Sequence, residues 1–235
     1  ETAKRMGIDT LVKYARYLGL GSKTGIELAG EEAGMLASKE TSEELGQEWY
    51  GGNALNAAIG QGDNSFTPIQ IAKYIAMITN GGHDIDITLI KEITKADGTT
   101  IDKDKVEEYI NNRLGIKKEE KDDIQISEET IKTVMEGMRS VTTDTGGTAY
   151  SVFKNFEIEV GGKTGSAEAG KNVNAWFTGF APYDDPEIAV VVFVENGGHG
   201  YYTATVAREI FESYFGTNED IKEDRTAKPY TGQNN

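Results

Sequence analysis

Residues 157–168, reading E-I-E-V-G-G-K-T-G-S-A-E, have the side chains needed to bind an anionic, peptide-like molecule. Apolar and acidic residues alternate at the start of this segment, which predicts a strand with one buried face. The glycines that follow mark a place where another backbone or a ligand approaches closely. On an exposed strand edge, Lys163, Thr164 and Ser166 would offer an ammonium group, two hydroxyls and open backbone N–H groups. This set suits a ligand that carries a carboxylate and lies alongside the strand.

The tripeptide Lys-Thr-Gly occurs twice, at 23–25 and at 163–165. The first copy follows a helix-like segment in a polar, glycine-rich stretch, so turn chemistry explains it and we predict an ordinary loop. Only the second copy has a strand context. A given tripeptide arises by chance in about one chain in twenty of this length. Whether the second copy marks a functional site therefore depends on the segments around it.

The composition is that of a folded, strongly acidic protein. Among 235 residues, 24 are Lys or Arg and 39 are Asp or Glu, a net charge of −15, which argues against nucleic acid and anionic lipid as partners. The chain has no cysteine, and therefore neither a disulfide nor a thiolate metal site. No apolar run in the sequence is long enough to span a membrane. The sequence opens on Glu1 inside a helix-like pattern, and we expect it to be cut from something longer.

Capping signals and apolar periodicity predict helices around the strand. Asp9 is a suitable N-cap for a helix that stops at Gly19, and residues 21–52 are predicted to be mostly loop. A Thr-Pro-Ile-Gln capping box opens residues 67–80, which are apolar almost all round and predict a buried central helix. Another helix is predicted to begin after Ser127.

Three further segments have strand-like patterns, at 85–95, 174–182 and 187–198. The last two are joined by a short turn and predict an antiparallel meander with the Lys-Thr-Gly strand. Residues 101–126 are charged with little periodicity, and we interpret 117–123 as a solvated loop.

The sequence after the strands predicts a final helix and a tail. The apolar face that would pack this helix on the sheet consists of Ala204, Ala207, Ile210, Phe211 and Tyr214. Residues 216–235 are polar, and we expect a frayed, disordered tail there. The fold class predicted is α+β (mixed α/β), with an antiparallel sheet flanked by helices and no internal repeat or linker.

The order of these pieces resembles the transpeptidase domain of class B penicillin-binding proteins, most closely the elongation and sporulation types of Gram-positive bacteria. The sequence contains, in this order, I-G-Q-G-D-N-S-F-T-P-I-Q-I-A, G-M-R-S-V followed by G-G-T-A, V-G-G-K-T-G-S-A-E, A-W-F-T-G-F-A-P and V-V-V-F-V-E-N-G-G. The resemblance covers residues 1–215, which we interpret as the C-terminal part of such a domain. It implies a penicillin-binding transpeptidase or serine β-lactamase-like fold, incomplete at its N-terminal side.

The resemblance implies that the parent protein is a serine-type D,D-transpeptidase of peptidoglycan synthesis that attacks D-alanyl-D-alanine stem peptides and is trapped by β-lactams. Lys163 would belong to the hydrogen-bond network of the active serine, and Thr164 and Ser166 would bind the carboxylate of substrate or drug. Gly165 would keep the strand surface open, and the N–H of Ser166 would supply half of the oxyanion hole.

Residues from two loops join these as candidates for lining the site. They are Gln61 and Gly62, before the buried helix, and Thr148, before the strand. For the loop at 60–62, a plain tight turn explains the sequence equally well.

The resemblance also implies partners and a location. The partners are stem peptides, β-lactam antibiotics and, through the parent, cell-wall synthesis proteins, with the N-terminal part of its own domain as a further candidate. The resemblance implies no cofactor. It places a membrane-anchored parent at the extracytoplasmic face of the bacterial cytoplasmic membrane, with the anchor outside this sequence.

The sequence departs from the family pattern at the nucleophile. The family's Ser-x-x-Lys and Ser-x-Asn motifs belong upstream of the first helix, and no Ser-x-Asn occurs here. The one Ser-x-x-Lys, at 151–154, lies in a predicted loop leading into the same strand as Lys163. The chemistry requires a serine at a helix start that faces the strand from another part of the fold. We therefore predict that Ser151 is not the nucleophile and that this chain alone is not acylated.

Two alternatives stay open. In the first, the parent is a β-lactam sensor or a serine β-lactamase, and hydrolysis of the acyl-enzyme by the full parent would favour it. In the second, the parent is a non-catalytic interaction or scaffold domain of the same fold, and absence of the serine motif from the upstream sequence would favour it. No metal site is predicted, because His83 and His199 lie in glycine-rich loops without ligand spacing. We expect both histidines to be surface residues.

Overall fold

The structure, a computed structural model, describes residues 2–115 and 124–217. These residues form nine helices and three strands. The helices are α1 (Thr2–Met6), α2 (Ile8–Tyr17), α3 (Lys39–Glu44), α4 (Gly51–Ala58), α5 (Pro68–Thr79), α6 (Lys103–Leu114), α7 (Glu128–Thr143), α8 (Tyr150–Phe153) and α9 (Gly200–Phe215). The strands are β1 (Gly161–Ala169), β2 (Asn172–Ala181) and β3 (Ile188–Val194).

The three strands form an antiparallel sheet in the order β1-β2-β3. In its register, Lys163 lies opposite Thr178 and Ser166 lies opposite Ala175. The predicted meander and the predicted α+β class are both confirmed. Within the described ranges β1 pairs only with β2, so its second edge is open.

One face of the sheet is covered by α9 and α8. The rings of Phe153 and Phe177 stack with centroids 5.6 Å apart, and Phe211 meets Phe153 edge-on at 6.3 Å. The predicted apolar face of α9 is partly wrong, because Ile210 and Tyr214 are 39% and 47% exposed. The buried stripe instead consists of Gly200, Thr203, Ala204, Ala207 and Phe211. Each of these positions lies three or four residues from another of them, the spacing that keeps side chains on one side of a helix.

The other face of the sheet is covered by α5 and α7. Ile75 and Met138 pack there against Phe180 of β2. The capping box of α5 is present as predicted, with Thr67 accepting a hydrogen bond from the N–H of Gln70 and the side chain of Gln70 bonding back to the N–H of Thr67. The prediction of a buried central helix is confirmed.

The N-terminal predictions need correction. Helix α2 begins at Ile8 with Gly7 as its N-cap, so Asp9 is not the cap. Asp9 lies in the first turn, where a carboxylate favours the helix N-terminus, and accepts a hydrogen bond from Lys39 at 2.9 Å. The loop predicted over 21–52 contains α3 and the start of α4. The start of α4 was not predicted because its first two residues are glycines, which are unfavourable in helices.

The middle of the chain also differs from the prediction. Residues 85–95 form no strand, and their only ladder contact is an isolated bridge between Thr94 and Thr100. The charged region contains α6, which is capped by the side chain of Asp102. The loop predicted at 117–123 and the tail from residue 218 lie outside the described residues.

The Lys-Thr-Gly strand begins later than predicted. Residues 157–160 are irregular, and β1 begins at Gly161. Val160 is nonetheless buried, and its carbonyl accepts a hydrogen bond from the hydroxyl of Thr142 at the end of α7. The alternating apolar and acidic residues at 157–160 therefore indicate which side chains of an irregular segment are buried, and not a strand.

Candidate functional site

The open edge of β1 carries the predicted site residues. Lys163 and Ser166 are exposed there, and Thr164 and Gly165 are partly buried. The edge is therefore accessible to a ligand along the segment that the sequence predicts as a binding site.

The glycines of β1 make room for side chains of β2. A Cβ atom at Gly162 would lie 2.6 Å from Cζ of Phe177, and one at Gly161 would collide with the ring of Phe180. A Cβ at Gly165 would lie 3.1 Å from Cβ of Trp176. The close approach predicted at these glycines is therefore made, at least in part, by the neighbouring strand.

Backbone groups of two residues face the open edge. The carbonyl of Thr164 accepts a hydrogen bond from Nζ of Lys163 at 2.6 Å, and the carbonyl of Ser166 accepts one from Nε2 of Gln61 at 3.4 Å. In an antiparallel strand, the N–H and C=O of one residue lie on the same side. The N–H groups of Thr164 and Ser166 consequently face the open edge as well.

Each hydroxyl on the strand contacts a group from a different element. Oγ1 of Thr148 lies 2.7 Å from Oγ1 of Thr164, and the N–H of Gly200 donates to Oγ of Ser166 at 3.3 Å. Thr148 was predicted from the sequence as a residue that lines the site, whereas Gly200 was not. The glycine-rich run E-N-G-G-H-G after β3 was the available signal for a close backbone approach.

The loop before α5 holds Gln61 beside β1. The side chain of Asn64 donates to the carbonyls of Gln61 and Ala57 at 3.3 and 3.1 Å and accepts from the N–H of Ala37 at 2.9 Å. Gly62 has a positive φ of 72°, as a tight turn requires. The loop is thus both a tight turn and a neighbour of the strand edge.

The remaining candidates lie elsewhere. The first Lys-Thr-Gly copy is in a loop, as predicted. Ser151 lies in the one-turn helix α8, where a loop was predicted, and both Ser151 and Lys154 are exposed. His83 and His199 are exposed as expected. Within the described ranges, no group of three or more His, Asp or Glu side chains is arranged to hold a metal ion, and no helix is long and apolar enough to cross a membrane.

A cavity of about 910 Å³ lies away from β1, between the loop after α2 and the segments around α6. None of the predicted site residues lines it. Glu27, on its wall, accepts a hydrogen bond from the N–H of Leu89 at 2.8 Å and another from the hydroxyl of Thr88. Partial burial pushes the pKa of Glu27 upward, but these hydrogen bonds outweigh it and the pKa is lowered. We place the candidate site on β1, where the donors face solvent.

Comparison with known proteins identifies the family. The sequence profile of the penicillin binding protein transpeptidase domain matches residues 1–215. This chain belongs to the penicillin-binding protein transpeptidase family. The resemblance inferred from the order of the motifs is confirmed.

Relatives within the transpeptidase family are considerably longer than this chain. Peptidoglycan D,D-transpeptidase MrdA of Haemophilus influenzae is 30% identical over 233 residues, which are 91% of this chain and 34% of that protein. Penicillin-binding protein H of Bacillus subtilis is 36% identical over 192 residues, which are 77% of this chain and 24% of that protein. The chain thus spans about a third or less of the length of these relatives.

Solved structures of penicillin-binding proteins share the fold. PBP2 of Pseudomonas aeruginosa, solved in complex with WCK 5153, superposes with a TM-score of 0.75 at 32% identity, covering 90% of this chain and 45% of that one. PBP2 of Helicobacter pylori, solved in complex with MreC, gives a TM-score of 0.69 at 24% identity, covering 92% of this chain and 38% of that one. The second likeness bears on the fold alone.

Proposed function

We propose that this chain forms the Lys-Thr-Gly wall of the active site in a D,D-transpeptidase that cross-links peptidoglycan and is acylated by β-lactams. The observation that carries the proposal is the open edge of β1, where the backbone N–H groups of Thr164 and Ser166 face the edge and their hydroxyls lie on the same strand as the ammonium of Lys163. A carboxylate-bearing peptide is the ligand class that such an edge suits.

Each group has a role in this proposal. Thr164 and Ser166 donate hydroxyl hydrogen bonds to the ligand's carboxylate, and the N–H of Ser166 points at the oxygen that becomes negative when the acyl carbon turns tetrahedral. One preorganised donor at that oxygen is worth about 3 kcal/mol of transition-state stabilisation. Lys163, whose ammonium bonds to the carbonyl of Thr164, joins the hydrogen-bond network of the attacking serine. Gln61 and Gly62 line the site from the loop before α5.

The nucleophile comes from a Ser-x-x-Lys segment outside these 235 residues. Ser151 and Lys163 lie in consecutive elements of one stretch of chain, and α8 packs its other side chains into the core. A serine so placed does not approach β1 from a separate part of the fold. On this basis the chain alone is not acylated and acquires activity with the N-terminal part of its domain.

Membership of the family supports a proposal for partners and location. Relatives named MrdA are peptidoglycan D,D-transpeptidases, and one solved relative, at 33% identity, belongs to a peptidoglycan synthase complex. We propose peptidoglycan stem peptides, β-lactams and cell-wall synthesis proteins as partners of the parent. Its transpeptidase domain would work at the extracytoplasmic face of the cytoplasmic membrane, where its substrate is.

Lysine substitutions test this function in a longer protein that includes the proposed upstream Ser-x-x-Lys segment, which is distinct from the one at 151–154. Lys163→Ala is expected to slow penicillin acylation and stem-peptide cross-linking about 100-fold, because it removes a group of the proton-transfer network. The matched control is Lys171→Ala, an exposed lysine in the turn after β1, which should change neither rate. Unchanged rates in Lys163→Ala would overturn the proposal. Rapid hydrolysis of the acyl-enzyme without cross-linking would indicate a β-lactamase instead.

A further inference from the structure

The two hydroxyls on the edge of β1 are each supported by a group behind them. Ser166 meets the first residue of α9, and Thr164 meets the loop between α7 and α8. Because a hydroxyl carries a single proton, what supports it decides whether it offers that proton or a lone pair to a ligand.

At Ser166 the direction is unambiguous. The N–H of Gly200 can only donate, so Oγ of Ser166 accepts at 3.3 Å and keeps its own proton for another acceptor. Gly200 is the first residue of α9, and N–H groups in the first turn of a helix have no partner within the helix. Their partial positive charge further favours an anion near this hydroxyl.

At Thr164 the supporting hydroxyl is that of Thr148, whose two chain neighbours both pack closely against the fold. On one side, Gly147 lies so close to α7 that a Cβ would come within 2.5 Å of the carbonyl of Ser140. On the other side, Ala149 is fully buried and its N–H donates to the carbonyl of Val141 at 3.0 Å. Within the described ranges, the hydroxyl of Thr148 has no hydrogen-bond partner other than Thr164.

We propose that Thr148 is a positioning residue that donates its proton to Oγ1 of Thr164, so that the proton of Thr164 points at the ligand's carboxylate. A carboxylate only accepts hydrogen bonds, and the reverse orientation would present it with oxygen lone pairs. Thr148 itself touches no ligand. The inference rests on the proposed function, because it assigns a carboxylate to the edge of β1.

The test compares Thr148→Val with Thr148→Ser in protein that includes the Ser-x-x-Lys segment, using a penicillin and its neutral methyl ester as the two probes. Valine keeps the shape of threonine without the hydroxyl. Thr148→Val is expected to slow acylation by the free acid about tenfold, as loss of one well-placed hydrogen bond to an anion-binding group would. Acylation by the ester should be unchanged, and Thr148→Ser should restore the preference for the acid.

Two controls separate orientation from general damage. Thr133→Val removes an exposed hydroxyl on α7 that donates to the carbonyl of Glu129 in its own helix, and it should alter neither rate. In a Thr164→Val background, adding Thr148→Val should cause no further loss, because the hydroxyl that it orients is gone.

The outcomes distinguish the two proposals. An unchanged acid-to-ester ratio in Thr148→Val, or losses that add in the double variant, would overturn the inference alone. Wild-type protein that neither probe acylates would overturn the proposed function, and the inference with it.

Discussion

The same three residues behave differently at the two Lys-Thr-Gly copies because their surroundings differ. In the first copy the carboxylate of Glu31 accepts hydrogen bonds from the N–H and hydroxyl of Thr24, both at 2.6 Å, and from the N–H of Gly25 at 3.1 Å. The chain therefore occupies these donors with its own carboxylate. In the second copy, Thr164 and its neighbours lie on a strand edge where an external carboxylate can approach. The tripeptide predicts donors, and only the surrounding elements decide what they bind.

Single residues at the site were predictable to different degrees. Lys163 and Thr164 were predicted from their place after the alternating run at 157–160, which breaks into glycines, and Thr148 was predicted from the order of the motifs. Gly200 and Asn64 were not predicted as part of the site, because their roles depend on α9 and the loop before α5 meeting β1 in space. Contacts between residues distant in sequence leave no local pattern to read.

Thr142 gives a prediction at the residue scale. Its hydroxyl is buried at the end of α7 and bonds to the carbonyl of Val160, just before β1. Thr142→Val leaves that carbonyl without its side-chain partner, so we expect a loss of about 1–3 kcal/mol in the free energy of unfolding. Urea denaturation measures it, with Thr143→Val, an exposed neighbour, as the matched control. Equal stabilities of the two variants would contradict this assignment.

At the scale of elements, prediction succeeded where local chemistry was strong. The capping box fixes the start of α5, and two apolar segments joined by a short proline-containing turn indicate β2 and β3. Helix α6 was missed because its apolar residues are few and its charges obscure the period. Residues 85–95 were wrongly predicted as a strand, because alternating apolar and polar residues indicate which side chains are exposed and not whether the backbone pairs with another strand. In place of a neighbouring strand, the carboxylate of Glu27 from a distant loop accepts hydrogen bonds from the N–H of Leu89 and the hydroxyl of Thr88.

The contact between α9 and β1 gives a prediction at this scale. A Cβ at Gly200 would lie 2.5 Å from the carbonyl of Gly165 and 2.7 Å from that of Trp176. Gly200→Ala should therefore push α9 away from the strand, at a cost of about 1–3 kcal/mol of stability. It should also slow β-lactam acylation in protein with the serine motif, because Ser166 loses its supporting N–H.

The matched control for this contact is Gly137→Ala in α7, where an added Cβ meets nothing within 4 Å. That substitution should stabilise the protein by about 0.5–1 kcal/mol, since alanine loses less backbone entropy in a helix. Thermal unfolding and acylation rates measure both variants. If Gly200→Ala proved as stable as Gly137→Ala, α9 would not press on β1 as described.

At the scale of the whole molecule, the family follows from the order of segments spread over residues 1–215, and not from any one motif. The chain spans about a third of the length of the MrdA relative. Two apolar side chains, Leu55 of α4 and Ile59 directly after it, are 52% and 74% accessible. They offer a surface that the N-terminal part of the domain could cover.

The most direct test of the central claim is intact mass followed by peptide mapping after incubation with a penicillin, on this chain and on protein that includes the Ser-x-x-Lys segment. We predict no covalent adduct on the chain alone and one adduct per molecule, on the serine of that segment, in the longer protein. An adduct on the chain alone, above all at Ser151, would contradict the account and place the nucleophile within these 235 residues.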